Sequence, residues 1–494
     1  MTFNRLKQFY LLCLFLLFIQ TAHTQTYQIR IQDQPSRKVL VTYNFIAVDS
    51  VLEMSGRGAY ELEDRWATFV KDLRLKTKSG EYIPLVKNDR SRWTFDAPEG
   101  TSLQLEYEIV LEHEKHQWNG GFDGAAYQTD WGLFFTGRSL FITDPNIKES
   151  LEVSFELPET WKVSSSWEEL KGSPNSFIVP NNTQLTESLL FAGTHQEIRI
   201  EREDFELVLA LGGKSILDTT KDFEDLAKGV LDYYTELFGG LPKPSADNPF
   251  KKVLVVINES GSTDGEVIGN HISILLEKEG DAMASMIARF IFVHEFFHLW
   301  NGKSFIPANL ECEWFKEGIS NYYTLKALYQ VGFLNEGAYF NVMNQFFYQR
   351  YSKDPGIGSV AMSDGDQKHD HWGIIYSGGM FVGMAQDIMI REHNNNQKSL
   401  DDLMRKLYDE YGGTERRYTL DYLMNEFSAM TGEDQSQFFE SYVKGVEKLP
   451  INEQLSSYGL LIDMNDDQLS IQRNPSLSDK EQNYIEGLFG SLNP

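Results

Sequence analysis

The stretch FVHEFFHLWNG, residues 292–302, places three ionisable side chains in an apolar run. His294 and His298 are four residues apart, so on a helix they lie one turn apart on the same face. Glu295 follows the first histidine, and this H-E-x-x-H spacing lets two imidazoles hold one cation while the carboxylate reaches a bound water. Burying such groups without partners costs free energy. The stretch alone therefore indicates either a metal site or a pair of hydrogen-bonded core histidines.

A third ligand separates these alternatives, because a catalytic zinc site uses three protein ligands and one open position. The metzincin pattern would need Gly and His where this sequence has Asn301 and Ser304, so that class is excluded. The loop NGKSFIPANL can reverse the chain, and ECEWFKEGISNYYTLKALYQVG then predicts a return helix. Glu317 on that helix would be buried among aromatic residues and needs a partner as the histidines do. We predict that His294, His298 and Glu317 bind Zn²⁺.

Two patterns of hydrophobicity divide the chain. From Thr26 to about Gly212, short alternating runs such as KVLVTYNFIAV and SLQLEYEIVLEH predict strands. After Gly213, the segment TTKDFEDLAKGVLDYYTELFGG has helical periodicity and a Gly-Gly stop. Almost everything from Asp281 to about Leu449 is predicted to be helical. We expect an α+β multidomain protein that begins with a β-sandwich-like domain.

The N-terminus predicts export. Arg5 and Lys7 precede an apolar run, Tyr10 to Ile19, and small residues follow it at a cleavage position before Gln25. A membrane anchor is the alternative, but the apolar run is too short to span a bilayer comfortably. We therefore expect a signal peptide over residues 1–24, no stable membrane anchor after its cleavage, and a periplasmic or secreted protein.

Charge and cysteine content exclude some partners. The chain has 45 basic and 72 acidic residues and a formal net charge of −27, which disfavours nucleic acid and anionic membranes as partners. Removal of the signal would leave Cys312 alone, so no internal disulfide can form. We expect this thiol to be buried and inert rather than a zinc ligand. His369 and His371 flank Asp370, and we expect a polar loop there rather than a second metal site.

Several longer segments resemble one peptidase family. HEFFHLWNGKSFIP, EGISNYY, YSGGMFVGMAQDIMIRE and FTGRSLFITDP are similar to segments of the glycyl aminopeptidase family of gluzincin zinc metallopeptidases. The spacing of the two histidines and two glutamates also resembles the related alanyl aminopeptidase family. The resemblance covers roughly residues 130–460. The family often carries a C-terminal PDZ domain, and we expect none in this chain.

The resemblance implies a thermolysin-like zinc peptidase domain between the β domain and a C-terminal helical domain. The expected division of the chain is a signal peptide, an N-terminal β domain, the catalytic domain, the helical domain and a C-terminal tail, over residues 1–24, 25–213, 214–335, 336–460 and 461–494.

The resemblance also implies the catalytic roles. Zn²⁺ would lower the pKa of its bound water, and Glu295 would take the proton as general base and pass it to the leaving amine. Tyr376 matches the family's tyrosine that hydrogen-bonds the developing oxyanion, although most of the 23 tyrosines must be core residues. The family's two arginines after the zinc helix are here Ser304 and Ile306, and its lysine after the tyrosine is Gly378. These departures concern substrate preference and not the metal.

Substrate binding is expected in the segment GEVIGNHISIL. In the resembled families a glutamate in this region binds the α-ammonium of the substrate. If His271 matches the family's next histidine, Asn270 stands at the position of that glutamate, beside Gly269. Glu266 would then be the nearby carboxylate that substitutes for it. The simpler alternative is a turn and an edge strand that pairs with extended substrate.

These observations favour an exported zinc aminopeptidase that acts on peptides. Two alternatives stay open: a zinc endopeptidase of the same fold, or a non-catalytic zinc-containing binding protein. The second is disfavoured because the complete set of ligands and base is present. Zinc content measured beside turnover of a peptide library separates the three, while the natural substrate and the oligomeric state are not predicted.

Overall fold

A computed structural model describes residues 25–32, 38–118, 124–245, 249–278, 282–456, 459–465 and 468–490. The predicted signal segment, residues 1–24, lies outside the described residues. The chain forms two compact units, Met1–His195 and Gln196–Pro494. The first is rich in strands and the second contains a sheet followed by many helices, so the predicted α+β class is confirmed.

The first unit is built from strands that bury alternate side chains. In Lys38–Ile46 and Ser102–Val110 every second residue is buried, as expected where one face of a sheet packs on a core. Its strands are β1 Thr26–Ile31, β2 Lys38–Ile46, β3 Val51–Met54, β4 Val70–Thr77, β5 Tyr82–Ile83, β6 Val86–Asp89, β7 Arg92–Thr94, β8 Ser102–Val110, β9 Tyr127–Thr129, β10 Gly132–Thr136, β11 Ile142–Thr143, β12 Leu151–Glu156, β13 Lys162–Ser165, β14 Glu168–Glu169, β15 Ser176–Val179 and β16 Leu189–Gly193. Two short helices are α1 Gly137–Leu140 and α2 Asn182–Thr186.

Among the described residues these strands form three sheets. The orders are β14-β15-β12-β1-β2-β8-β4-β5, β13-β16-β10-β9 and β11-β3-β7-β6. Their inward side chains make one hydrophobic core that includes stacked Tyr27, Tyr43 and Phe45. The alternating runs of the sequence therefore predicted these strands because each has one buried face.

The second unit begins with a sheet of order β17-β18-β19-β21-β20. Its strands are β17 Gln196–Arg202, β18 Phe205–Gly212, β19 Lys252–Ser260, β20 Asp264–Ile268 and β21 His271–Glu277. β18, β19 and β21 run parallel, and β20 pairs antiparallel with β21 at the edge. The sequence analysis assigned β17 and β18 to the N-terminal domain that ends at 213. In the structure β18 pairs with β19, so both strands belong to the second sheet, a long-range contact that local pattern does not reveal.

Helices make up most of the rest of this unit. The first long one buries Phe223, Leu226, Val230 and Tyr234 along one face and ends at Phe238. Gly239 follows as its C-cap, with a left-handed φ of 75°. The helices are α3 Lys214–Asp218, α4 Thr220–Phe238, α5 Ala282–Phe297, α6 Glu313–Gln330, α7 Glu336–Val342, α8 Gln349–Ser352, α9 Gly379–His393, α10 Leu400–Tyr411, α11 Leu420–Thr431, α12 Ser436–Tyr442, α13 Ile451–Leu455 and α14 Asp479–Phe489. π-Helical segments Met343–Tyr348 and Gly373–Gly378 precede α8 and α9, and the short strands are β22 Ile306–Pro307, β23 Arg417–Tyr418, β24 Leu460–Met464 and β25 Leu469–Arg473.

The described C-terminal residues, 459–465 and 468–490, form secondary structure in the second unit. The sequence analysis treated residues 461–494 as a polar tail, but they contain β25 and α14. Lys326 and Arg391 donate hydrogen bonds to the Gly487 carbonyl, and Tyr322 donates one to the Leu488 carbonyl. These partners lie far away in sequence, which is why the weak local pattern did not predict them. One hydrophobic core runs from the sheet to α14 and joins the catalytic and helical regions that the sequence analysis separated at 335.

One segment of the described residues has the length and hydropathy of a membrane span. It is Gly373–His393, and 89% of the 18-residue stretch within it that has this hydropathy is buried inside the protein. It lies beyond the predicted signal, where no stable membrane anchor is expected. Its burial explains its hydropathy, because helices at the centre of a folded unit are apolar on most sides.

Candidate active site

The H-E-x-x-H motif lies at the end of α5. His294 and Glu295 are in the last turn of the helix, and His298 lies in the turn directly after it. The adjacent Phe296 and Phe297 are fully buried. The aromatic residues of the motif therefore fix the end of the helix in the core, so that the ionisable side chains have a defined position.

Three ligand-type atoms converge beside this helix end. His294 Nε2 and His298 Nε2 are 3.1 Å apart. The Glu317 Oε2 atom, carried by α6, is 3.3 Å from the first and 3.1 Å from the second. All three side chains are at least nine-tenths buried. The fold therefore brings together the three residues that the sequence predicted as ligands.

These separations fit a tetrahedral metal ion. A zinc ion with bonds of about 2.0–2.1 Å holds its ligand atoms roughly 3.3 Å apart. The possible ligand atoms of His294, Glu295 and His298 also lie close to one another, so these three residues could hold an ion as well. Its Oε2 is 4.0 Å from His298 Nε2, however, and its side chain is 24% exposed, against 5% for Glu317. The shorter distances and deeper burial favour Glu317 as the third ligand.

The hydrogen bonds behind the histidines favour this role. His298 Nδ1 is 2.9 Å from the Asn301 carbonyl oxygen, which accepts a hydrogen bond only from a protonated Nδ1. That arrangement leaves the lone pair of Nε2 for a metal, as in most metal-binding histidines. Ser320 Oγ lies 3.4 Å from the same Nδ1. The buried Nδ1 of His294 has no hydrogen-bond partner among the described residues.

Two partly buried ammonium groups contact the other carboxylate oxygen of Glu317. Its Oε1 lies 3.1 Å from Lys316 Nζ and 3.1 Å from Lys368 Nζ. The same two ammonium groups contact Glu313 Oε2, at 3.2 and 2.6 Å. Two lysines and two glutamates therefore balance in charge, and only Oε2 of Glu317 faces the histidines.

The shifted pKa values of Glu317 and His294 indicate that the site stabilises positive charge. Burial by itself raises the pKa of Glu317, but His298, Lys316 and hydrogen bonds hold it well below its ordinary value. Burial lowers the pKa of His294, whereas its hydrogen bond to Glu317 and the charge of Glu295 give a net increase. An ionised carboxylate beside two imidazoles is an environment in which a divalent cation is stable.

Tyr376 lies on the same side of the site. Its ring is 6.3 Å from the ring of His294, and burial and the charges of Glu317 and Glu295 raise its pKa. The hydroxyl therefore stays protonated and can donate a hydrogen bond. Tyr376 is part of the π-helical segment, a form of helix frequent at functional sites, and Asn321 Nδ2 donates a hydrogen bond to its carbonyl.

The predicted substrate-binding residues lie on β20 and in its turn. Gly269 and Asn270 form the two-residue connection between β20 and β21, and Gly269 has a φ of 61°, as the first position of a type II′ turn requires. A Cβ on Gly265 would meet Ile291 of α5, so this residue faces the helix. Strand alternation then puts Glu266 on the opposite face. Its role with the substrate stays a prediction.

The remaining candidate residues are Cys312, His369 and His371. Cys312 is buried, and desolvation followed by the nearby Glu311 and Glu313 raises the pKa of its thiol to about 12. His371 Nδ1 is 2.8 Å from Asp354 Oδ1, while His369 is exposed. Neither group forms a second metal cluster in the described part of the chain.

The sequence analysis missed the two lysines around Glu317. Lys316 precedes Glu317 on α6, so its position next to the predicted ligand was a usable signal. Lys368 is 51 residues further along the chain and gave no such signal. The contact exists only because the loop before the π-helical segment folds over the start of α6.

Comparisons with known proteins find two family profiles in the chain. The profile of the Peptidase M61 N-terminal domain matches residues 26–194, and the profile of the M61 glycyl aminopeptidase matches residues 288–398. The second match contains His294, Glu295, His298, Glu317 and Tyr376, whereas β20 and its turn lie outside both. No curated protein matches the chain.

The chain is also similar in fold to a solved structure. The match is an aminopeptidase N family protein from Idiomarina loihiensis, with a TM-score of 0.73 and 19% sequence identity. It covers 89% of this chain and 79% of that one, so the likeness extends over both units. The two family profiles, together with a fold of this kind, identify the chain as a member of the M61 glycyl aminopeptidase family and as a metallopeptidase.

Proposed function

We propose that this chain is an exported, zinc-dependent aminopeptidase. The observation that carries the proposal is the convergence of His294 Nε2, His298 Nε2 and Glu317 Oε2 within 3.1–3.3 Å of one another. Two imidazoles and a carboxylate are the ligand set of several zinc hydrolases. A zinc ion held by these residues would supply a Lewis acid that makes water more acidic.

Glu295 is the proposed general base. It is adjacent to His294 in the chain, and its partly exposed carboxylate can accept a proton at the open side of the site. Because its Oε2 is 4.0 Å from His298 Nε2, it lies further from the ligand atoms than they lie from each other. That position suits a group that takes a proton from an attacking water and gives it to the leaving amine.

Tyr376 is the proposed oxyanion donor. Its raised pKa keeps the hydroxyl protonated beside two carboxylates, so it can donate to an oxygen that becomes negative. A donor of this kind acts on charge that develops in the transition state. The stacked ring of Trp372, 5.0 Å away, restricts the tyrosine ring.

The edge strand is the proposed guide for the substrate backbone. β20 has β21 on one side and, among the described residues, no strand on the other. An extended peptide can add to such an edge through main-chain hydrogen bonds. Because Gly265 packs on Ile291, one turn before Glu295, a peptide on this edge would pass the general base.

The proposed enzyme prefers peptides with a free N-terminus. The preference is smaller than a fixed carboxylate in the site would give. Asn270 can offer the α-ammonium only a neutral acceptor, which is roughly half as strong as a charged one. Glu266 on β20 is the nearest predicted carboxylate. Export rests on the pattern of residues 1–24 alone.

The deciding experiment maps cleavage sites by mass spectrometry. Purified protein of measured zinc content is incubated with a peptide library and with N-acetylated copies of the same peptides. Successive removal of N-terminal residues, weakened by acetylation and restored by zinc after chelation, supports the proposal. Equal cleavage of both sets at internal bonds would indicate an endopeptidase, and bound zinc without turnover would indicate a binding protein.

The Glu266→Gln variant tests, in the same assay, whether Glu266 binds the α-ammonium of the substrate. We expect it to reduce the difference between free and acetylated peptides. An unchanged difference would show that another group binds the α-ammonium.

A further inference from the structure

A cavity is lined by Trp372, whose ring stacks on that of the proposed catalytic residue Tyr376. Its volume is about 420 Å³, within the range of small-molecule sites, which is roughly 300–1,000 Å³. Its lining includes Gln349, Arg350, Lys353 and Trp372, from α8, the loop after it and the residue before the π-helical segment. Both polar and aromatic groups therefore face the same space.

Arg350 is the unusual residue of this cavity. Its guanidinium carbon is 4.0 Å from the ring centre of Phe346 and 4.7 Å from that of Trp372. Among the described residues the guanidinium has no ion pair and no side-chain hydrogen bond. Two aromatic rings thus fix a planar cation whose donors are unused, an arrangement that suits bidentate binding of a carboxylate.

The acidic residues nearby do not neutralise this cation. Asp354 also lines the cavity, but its Oδ1 lies 2.8 Å from His371 Nδ1 and accepts a hydrogen bond from the Gly356 N–H. Asp370 lines the cavity as well and is exposed to solvent. Arg350 is exposed to solvent on one side, and the partial desolvation of its guanidinium, not an anion, lowers its pKa. The cavity therefore contains a guanidinium that forms no ion pair with the carboxylates that line it.

Trp372 links this cavity to the catalytic residues. Its ring stacks on Tyr376 with an interplanar angle of 10°, and Tyr376 lies 6.3 Å from His294 between ring centres. Only two stacked rings therefore separate Arg350 from a proposed zinc ligand. An extended peptide advances about 3.3 Å per residue, so a substrate at the catalytic site can reach the cavity within a few residues.

We propose that Arg350 and Trp372 form a substrate subsite that binds a carboxylate group of the peptide. This inference rests on the proposed peptidase function and adds its specificity. The carboxylate can come from an acidic side chain or from the C-terminus of a short peptide. Both present the same planar pair of oxygens to the guanidinium.

The test uses two matched sets of short alanine-based peptides. In the first set, each amidated peptide carries one Glu or one Gln at a stated position, which isolates the side-chain carboxylate. In the second set, a neutral peptide ends in a free carboxylate or an amide. For each enzyme, kcat/KM of the acidic peptide is divided by that of its neutral partner, so that a general loss of activity cancels.

We expect the wild type to favour one acidic peptide by about tenfold or more, because charge-assisted bidentate hydrogen bonds are strong. Arg350→Gln should bring that ratio close to one, and Arg350→Lys should retain part of it, because it keeps the charge and loses the planar fork. Arg405→Gln is the matched control, since Arg405 on α10 is partly exposed and lies 3.8 Å from Asp402. It should keep the wild-type ratio.

The outcomes separate this inference from the peptidase function. If the wild type cleaves peptides with no preference for any carboxylate, or if Arg350→Gln keeps the preference, the subsite is overturned. If no peptide is cleaved, calorimetric binding of the Glu and Gln peptides to the zinc-loaded protein decides. Binding of the Glu peptide that is lost in Arg350→Gln supports the subsite while the peptidase proposal fails, and equal binding of both peptides rejects the subsite.

Discussion

Gly318 of α6 and Gly379 of α9 meet backbone to backbone. A Cβ on Gly318 would lie 2.3 Å from the carbonyl carbon of Gly379, and one on Gly379 would lie 2.3 Å from the Trp314 carbonyl oxygen. Any side chain at either position would push the two helices apart. Gly318 follows Glu317, and Gly379 lies three residues after Tyr376, so this contact sets the distance between the proposed third ligand and the proposed oxyanion donor.

The first prediction concerns this helix contact. Gly318→Ala should lower the free energy of unfolding by about 1–3 kcal/mol, because the added methyl meets main-chain atoms that cannot move away easily. The measurement is denaturant unfolding followed by circular dichroism. Gly337→Ala on α7 is the control, because its new Cβ would meet nothing closer than 3.5 Å. Equal stability of the two variants would contradict the close approach.

The second prediction concerns Glu295. Glu295→Gln should keep its zinc and lose about 10²–10⁴-fold in turnover, because the amide has nearly the same shape but accepts no proton. Zinc content by mass spectrometry and kcat on a cleaved peptide are measured together. Glu453→Gln, at an exposed position of α13, is the control for the change in charge. Loss of metal in Glu295→Gln would show that Glu295 is a ligand.

The third prediction concerns Tyr376. Tyr376→Phe should lower kcat about 10²–10³-fold with little change in KM, because the hydroxyl acts on the transition state. Tyr60→Phe serves as the control, since Tyr60 is 67% exposed in the first unit. A kcat within threefold of the wild type would remove the hydroxyl from the mechanism.

The fourth prediction concerns the lysine behind the third ligand. Lys368→Met should weaken zinc binding about 10–100-fold, the usual effect of losing a group that orients a metal ligand. Without this ammonium, Oε1 of Glu317 keeps only Lys316, and Glu313 loses its closest cation. Competition with a chelating dye measures the affinity without any need for turnover. The exposed Lys398→Met is the control, and affinity equal to it would show that Lys368 does not orient the ligand.

The fifth prediction concerns stability in mild acid. Burial, with a smaller effect of Lys303, lowers the pKa of His271 to about 3, and its Nδ1 accepts a hydrogen bond from the Leu254 N–H. The unfolded chain has a histidine pKa of about 6.5, so below that pH it binds a proton that the folded chain does not. The free energy of unfolding should therefore fall as the pH falls from about 6.5 toward 3, by at most about 1.4 kcal/mol per unit from this group.

His271→Asn keeps an acceptor for the Leu254 N–H and has no proton to gain. Its unfolding free energy should depend less on pH between about 6.5 and 5 than that of the exposed control variant His369→Asn. His113 of the first unit has a similarly lowered pKa and contributes equally to both variants. Identical slopes would show that His271 is not held in its neutral form.

Local sequence determined the features of this protein that lie within a single helix or strand. The strands β2 and β8 follow from their hydrophobic runs, and α4 follows from its periodicity and its Gly-Gly stop. His294, Glu295 and His298 were predictable as a group because a helical turn fixes which side chains lie on one face. Glu317 was predictable as the third ligand once the next helix, α6, was expected to return alongside α5.

Tertiary structure alone decided the features that join distant segments. Lys368 reaches Glu317 across 51 residues, and α14 supplies carbonyl acceptors to Lys326 and Arg391 from an apparently featureless tail. The proposed carboxylate subsite at Arg350 likewise needs Trp372 from another segment. The physical reason is that pattern and propensity report how one segment meets solvent and core, whereas the partner of a buried charge depends on which segments the fold brings together.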